Sequence, residues 1–218
     1  PIIGTLLGVA RPSRDEGVEG KLVDYLPLFA QDEAGYDNLC HLVSKAHLER
    51  PLEFEPHVRI GDLDGRTDGL IAFTGASEGA VTRLLAEGQQ SHAEALLDRL
   101  QAVFPDRLYV ELARRGDPIE ERAEAALVDL AYARDLPLVA TNPANFAEPH
   151  MHKAHDAMLC IAGSTHVDAE ERARSNPESY VKTYHMMEEA FADLPEAVQN
   201  TVVVAQRCAY APPYRKPI

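Results

Sequence analysis

Continuous apolar runs bounded by turn residues alternate along this chain with stretches in which apolar residues recur at every third and fourth position. That is the pattern of a mainly parallel α/β fold. The runs Ile2–Val9, Leu22–Ala30, Gly69–Phe73, Leu108–Leu112 and Leu136–Ala140 predict strands. The three-four spacing predicts helices over Tyr36–His47, Glu78–Glu87, Ser91–Phe104 and Pro118–Arg134. Beyond Ala140 the pattern turns helical, over Pro149–Ile161, Tyr184–Phe191 and Pro195–Cys208. Ser91 with Glu94 three residues on has the form of a capping box. Pro118 suits a first helical turn, and Asp117, Glu120 and Glu121 favour the dipole at the same end. Two polar stretches read differently: Gly163–Asn176 as a mobile loop, and Arg11–Gly20, with Arg11, Arg14, Asp15, Glu16 and Glu19, as an exposed excursion. There is no internal repeat and no low-complexity tract.

Composition narrows the classes. With 218 residues and 45% hydrophobic content the chain can build one sizeable core. A formal charge of −14 repels phosphate backbones, so the chain is not expected to grip DNA by itself. Cys40, Cys160 and Cys208 are odd in number and far apart, which argues against a disulfide framework or structural zinc and for a reducing cytoplasm. No apolar run approaches a membrane span. Pro1-Ile2-Ile3-Gly4-Thr5-Leu6-Leu7-Gly8-Val9 reads as a buried strand with no element before it, and Ala211–Ile218 as an interdomain linker. The expectation is therefore a piece of a longer polypeptide.

Several residues invite a chemical reading. His150-x-His152-x-x-His155-Asp156 has the look of a metal cluster. Pro149 predicts a helix start there, and on a helix His150 and His152 point about 200° apart, while His152 and His155 share a side. A solvated helix start, with His155 capping or packing, accounts for them better. Gly61, Gly65 and Gly69 lack the Lys-Ser/Thr of a phosphate loop, and Ser44, Ser77 and Ser91 lack a nucleophile elbow. His41 and His47 read as surface residues, and Met186, Met187 and Phe191 as a helical apolar patch.

Six stretches carry a resemblance. Pro1-Ile2-Ile3-Gly4 resembles "Lys-Pro-Ile-Ile-Gly-Cys-Glu". Leu28-Phe29-Ala30 with Asp32-Glu33-Ala34-Gly35-Tyr36-Asp37-Asn38-Leu39 resembles "Leu-Leu-Ala-(Lys)-Asn-Glu-Glu-Gly-Tyr-Arg-Asn-Leu". Gly69-Leu70-Ile71-Ala72-Phe73-Thr74-Gly75 resembles "Gly-Leu-Ile-Ala-Leu-Ser-Gly". Val139-Ala140-Thr141-Asn142-Pro143-Ala144-Asn145-Phe146 resembles "Val-Ala-Thr-Asn-Asp-Val-His-Tyr". His155-Asp156-Ala157-Met158-Leu159-Cys160-Ile161 and Phe191-Ala192-Asp193-Leu194-Pro195-Glu196-Ala197 complete the series. Singly each is weak. In this order they resemble the polymerase and histidinol phosphatase (PHP) domain of bacterial replicative DNA polymerase III alpha subunits, over nearly the whole chain.

The resemblance implies an α/β fold, an incomplete, distorted TIM-like (β/α)7 barrel of the PHP type, with C-terminal helices leading onward. It divides the chain into a partial barrel (1–163), a helical extension (164–211) and the start of a linker to a polymerase palm (212–218). The first two strand–helix units, with their His-x-His and Asp-His motifs, would lie upstream of Pro1. Metal-competent members place ligands where this chain has Leu6, Leu26, Arg115, Pro143 and Asn145, the match at Leu26 being the loosest. Aliphatic, imino, amide and guanidinium groups are not ordinary ligands, and a guanidinium repels a cation. The expectation is a degenerate site with no metal and no catalytic residue. Arg114 and Arg115 then either form an anion site or pair with nearby carboxylates such as Glu111 or Asp117.

For function the resemblance implies a non-catalytic domain of a DNA-directed DNA polymerase in replication. Its palm, outside this chain, would use Mg²⁺. The domain's partners would be the rest of the alpha subunit and the proofreading exonuclease subunit, with DNA met only through the parent. Two other readings stand beside it: a residual metal-dependent phosphoesterase or 3′–5′ exonuclease using His150 and His152, and the same domain in an error-prone translesion paralogue. A barrel lacking its opening strands is also expected to expose the edge of Ile2–Val9 and to dimerise, borrow a strand or show a gap.

Overall fold

The computed structural model describes residues 1–11 and 22–214. The charged stretch after Arg11 and the last four residues of the tail lie outside the described residues. Five strands form one sheet in sequence order: β1 (Gly4–Ala10), β2 (Val23–Ala30), β3 (Leu70–Phe73), β4 (Leu108–Ala113) and β5 (Leu138–Thr141). The helices are α1 (Glu33–Leu48), α2 (Ala80–Ala86), α3 (Gln90–Val103), α4 (Pro118–Ala133), α5 (His152–Ala162), α6 (Tyr184–Ala190) and α7 (Pro195–Arg207).

The sheet is mixed, not mainly parallel. β2 runs antiparallel to both β1 and β3, and only the β3–β4 and β4–β5 pairs are parallel. α2 with α3, and then α4, supply the crossovers that make the later pairs parallel. Among the described residues β1 and β5 do not pair, and the sheet is open.

Strand composition follows burial. β3 and β4 are buried at every position, as their unbroken apolar runs require. One sheet face presents Leu7, Leu26, Leu28, Leu70, Val110, Leu112 and Leu138 to helices α1–α4. The other presents Ile71, Phe73, Tyr109 and Val139 to Val204 and Cys208, the latter two from α7 and its C-terminal end. β2 alternates buried with half-buried residues, and its one buried acid, Asp24, is held by Nε and Nη2 of Arg83 at 2.8 and 2.9 Å and by Arg11 at 2.9 Å. At the outer edge of β1, Val58 exchanges backbone hydrogen bonds with Gly8 and Ala10. Gly8 permits that approach, because a Cβ there would sit 2.4 Å from the Pro56 carbonyl oxygen. Leu6, earlier in the strand, and Ile2, before its start, remain half exposed.

Two local expectations are corrected. Ser91 does not cap α3; the helix starts one residue earlier, and Glu94 instead accepts from the Gln90 amide at 2.9 Å. With Gln89 at the N-cap, Ser91 lies inside the first turn and does not occupy the capping position. The loop Gly163–Asn176 is anchored: Arg172, its side chain 3% exposed, grips both oxygens of Asp156 at 2.8 and 2.7 Å. That contact holds the Asp156 carboxyl well below its ordinary range. The start of α4 forms as its sequence requires, with Pro118 in the first turn and Asp117 accepting from the Ile119 N–H at 2.8 Å.

Candidate functional site

The carboxyl ends of the parallel strands β3, β4 and β5 converge, the position at which open α/β sheets place their chemistry. β4 exits through Arg114-Arg115-Gly116, and Gly116 takes φ +68°, turning the chain into the Asp117 cap of α4. This brings Arg115 back over the strand ends. Its side chain is only 11% exposed and pairs with Glu120 from the first turn of α4, at 2.5 and 3.2 Å. The same guanidinium donates to Ser77 after β3 at 3.1 Å, and reaches the Pro143 carbonyl and the Ser179 hydroxyl at 3.5 Å. The Asn176 amide donates to the Arg115 carbonyl at 3.2 Å. One guanidinium thus ties four chain segments together.

Beneath it lies Glu111, 6% exposed, in the middle of β4. One carboxylate oxygen accepts from the Thr141 hydroxyl on β5 at 2.6 Å. The other has no partner, and neither has one oxygen of Glu120. Burial pushes the Glu111 carboxyl up, outweighing the Thr141 hydrogen bond; Glu120 raises it further, and Arg115 opposes. Folding therefore favours neutral Glu111. That contribution is complete below the ordinary carboxylate value of 4.5 and is lost as pH rises through the raised value. Glu111→Gln keeps the acceptor for Thr141 and abolishes the loss. Its urea midpoint is expected to exceed that of the parent at about pH 8, the gap closing toward about pH 4.

Of the five aligned positions the structure gathers three. Arg115 touches Pro143, and Asn145 follows on the same strand exit, its N–H bonded to the Ser179 carbonyl at 2.8 Å. Leu6 lies on β1, on the antiparallel side of the sheet. Leu26 registers with Leu7, so it faces the α1–α4 core, on the side of the sheet opposite Leu6. The period of two along paired strands forces that assignment.

The guanidinium groups of Arg114 and Arg115 turn to different partners. Arg114 turns the other way, to Glu124 at 2.6 Å, to Asp193 at 2.6 and 2.8 Å and to the Ala190 carbonyl, stacked 4.6 Å from the centre of the Phe191 ring. Arg114 holds the Asp193 carboxyl down to about 2. Each arginine is met by carboxylates, and the partner of Arg115 is Glu120 in place of Glu111 or Asp117. His152 and His155 do share a side, and both bond Ser175, at 3.0 and 2.7 Å, against the Phe146 ring. His150 points away, beside Glu148. Among the described residues no group of three or more His, Cys, Asp or Glu side chains is placed to hold a metal ion.

Glu120 was legible only as a dipole-favouring acid, and nothing in sequence linked Ser77 or Ser179 to Arg115. Glu111 did carry a signal. It is the one acid inside an otherwise uncharged strand, and such a group is buried with a partner or neutral.

The model of the PHP domain matches residues 1–115, over half of the chain. The chain belongs to the PHP domain family. It is 42% identical over its whole length to a DNA polymerase III subunit alpha of Caulobacter vibrioides, covering 19% of that protein. It is 37% identical to the subunit alpha of Pseudomonas aeruginosa, over 95% of this chain and 17% of that one. For Rickettsia bellii the figures are 34%, 97% and 17%. The chain therefore spans about a fifth of these relatives or less. Among the described residues no helix is long and apolar enough to cross a membrane.

Proposed function

We propose that this chain serves as a non-catalytic PHP domain of a replicative DNA polymerase alpha subunit, supporting the polymerase fold and docking a proofreading exonuclease subunit in the cytoplasm. The observation that carries the reading is Arg115. A fixed positive charge stands among Glu120, Glu111 and the strand ends, where metal-competent relatives gather a cation. A guanidinium gives that place its charge without exchangeable coordination sites, so it supports structure and no hydrolysis. Pro143 and Asn145 beside it supply no anionic donor. The metal chemistry of the family, and the Mg²⁺ of a polymerase palm, have no part in what these residues do.

The open sheet fits part of a distorted (β/α)7 barrel whose further strands would continue along β1, where Leu6 and Ile2 are half exposed. The names of the relatives favour a replicative parent over a translesion one. Immobilised chain is expected to retain purified exonuclease subunit of the same source, near one equivalent, and to leave duplex DNA unshifted. Passage of the exonuclease without retention would end the docking half of the proposal.

A further inference from the structure

A cavity of about 530 Å³ opens between the ends of β1 and β2 and the helices α2 and α3. Voids in close-packed interiors barely exceed a water molecule, whereas small-molecule sites run to about 300–1,000 Å³. Val9, Leu26, Leu84, Leu96 and Leu100 give the cavity apolar walls, and Arg11, Asp24 and Arg83 meet at its polar side. Arg83 alone satisfies Asp24. Its Nε and Nη2 donate to the two carboxylate oxygens, and its Nη1 turns to Glu87 at 2.9 Å. Arg11 is then surplus. Its Nε lies 2.9 Å from the Asp24 oxygen that Arg83 already occupies, and it is buried without a hydrogen bond. Among the described residues no other acid pairs with Arg11. A guanidinium holding an unbonded donor beside an apolar cavity is costly, and a ligand anion relieves that cost.

We propose that this cavity binds a small monocarboxylic acid with an apolar body. The carboxylate pairs with Arg11, and the hydrocarbon lies against the leucines of α2 and α3. Arginine presents a planar fork that takes a carboxylate on two parallel N–H groups. The lining carries two guanidinium groups against one carboxylate, an excess of one positive charge in a chain of formal charge −14. One surplus charge matches a monoanion. A doubly charged phosphate would leave a charge unmatched, and a cation would be repelled. The apolar walls reward a hydrocarbon body, which a bare acetate lacks. The cavity shares no charged residue with the strand-end cluster, so its occupancy is independent of exonuclease docking.

The test is calorimetry of the whole chain with decanoate and with 1-naphthylacetate, one linear probe and one flat. At least one is expected to bind saturably at one equivalent, while acetate and decan-1-ol at the same concentrations do not saturate. Arg11→Met keeps an unbranched stem, leaves Asp24 to Arg83, and should weaken binding about tenfold or more. Leu96→Trp should fill the cavity and abolish binding, and Arg122→Met, exposed on α4, should change nothing. Circular dichroism checks that the variants fold; Arg11→Met, which empties no apolar site, decides if Leu96→Trp does not. Absence of binding by both acids, equal affinity of parent and Arg11→Met, uptake of several equivalents, or equally tight binding of decan-1-ol would each overturn the proposal. So would displacement of the acid by a lower concentration of a leucine-ended peptide, which would give the cavity to a polypeptide terminus.

Discussion

Arg115→Leu is expected to destabilise the chain by about 3–5 kcal/mol, the range for removing one partner of a buried ion pair. The loss comes less from the missing attraction than from what remains. Glu120, 4% exposed, and Glu111, 6% exposed, would keep their carboxyls in the interior with no positive charge between them. Ser77, Ser179 and the Pro143 carbonyl would lose their shared donor as well. Urea unfolding should show a lower midpoint with an unchanged slope. The double variant Arg115→Leu with Glu120→Leu should recover most of the loss, because a buried pair replaced whole by apolar groups is often neutral. A single variant within about 0.5 kcal/mol of the parent, the usual scatter for surface changes, would show that Arg115 is not an internal counter-charge.

Phe191→Ala is expected to cost about 3–5 kcal/mol, the range for emptying a buried aromatic site. Phe191 is 1% exposed and packs in one core with Leu194, Ala197, Val198 and the α1–α4 face of the sheet. Its ring also seats Arg114, which ties Glu124 of α4 to Asp193 beyond α6. Unfolding should stay a single transition, shifted as a whole, because α6 and α7 share the core of the strands. A two-step transition with the strand signal unmoved would make residues 164–211 a separate unit.

Much of this was legible in the chain, for identifiable reasons. Among the described residues the five strands and seven α-helices fall within a few residues of their sequence patterns, since burial on one or two faces imposes a period that composition must obey. Strand direction was not legible: an apolar run has the same pattern whichever way it lies, and β2 runs antiparallel to both neighbours. The mobile-loop reading of Gly163–Asn176 failed because one buried contact, Arg172 with Asp156, outweighs a polar composition. At the site, Arg115, Pro143 and Asn145 were found by motif position, and the structure does set them together. Leu26 was not separable from its neighbours until the register with Leu7 fixed which face it occupies. Glu120 was invisible as a partner, because pairing five residues away across a tight Gly116 turn leaves no periodic trace.

The central claim is that the strand ends carry their own positive charge and hold no ion. Elemental analysis after saturation with Zn²⁺ or Mn²⁺ and exhaustive dialysis tests it most directly. The account predicts metal far below one equivalent per chain, the same in the parent and in Arg115→Leu controls checked for folding. One equivalent of tightly held metal in the parent, released when Glu111 or Glu120 is changed to glutamine, would contradict it.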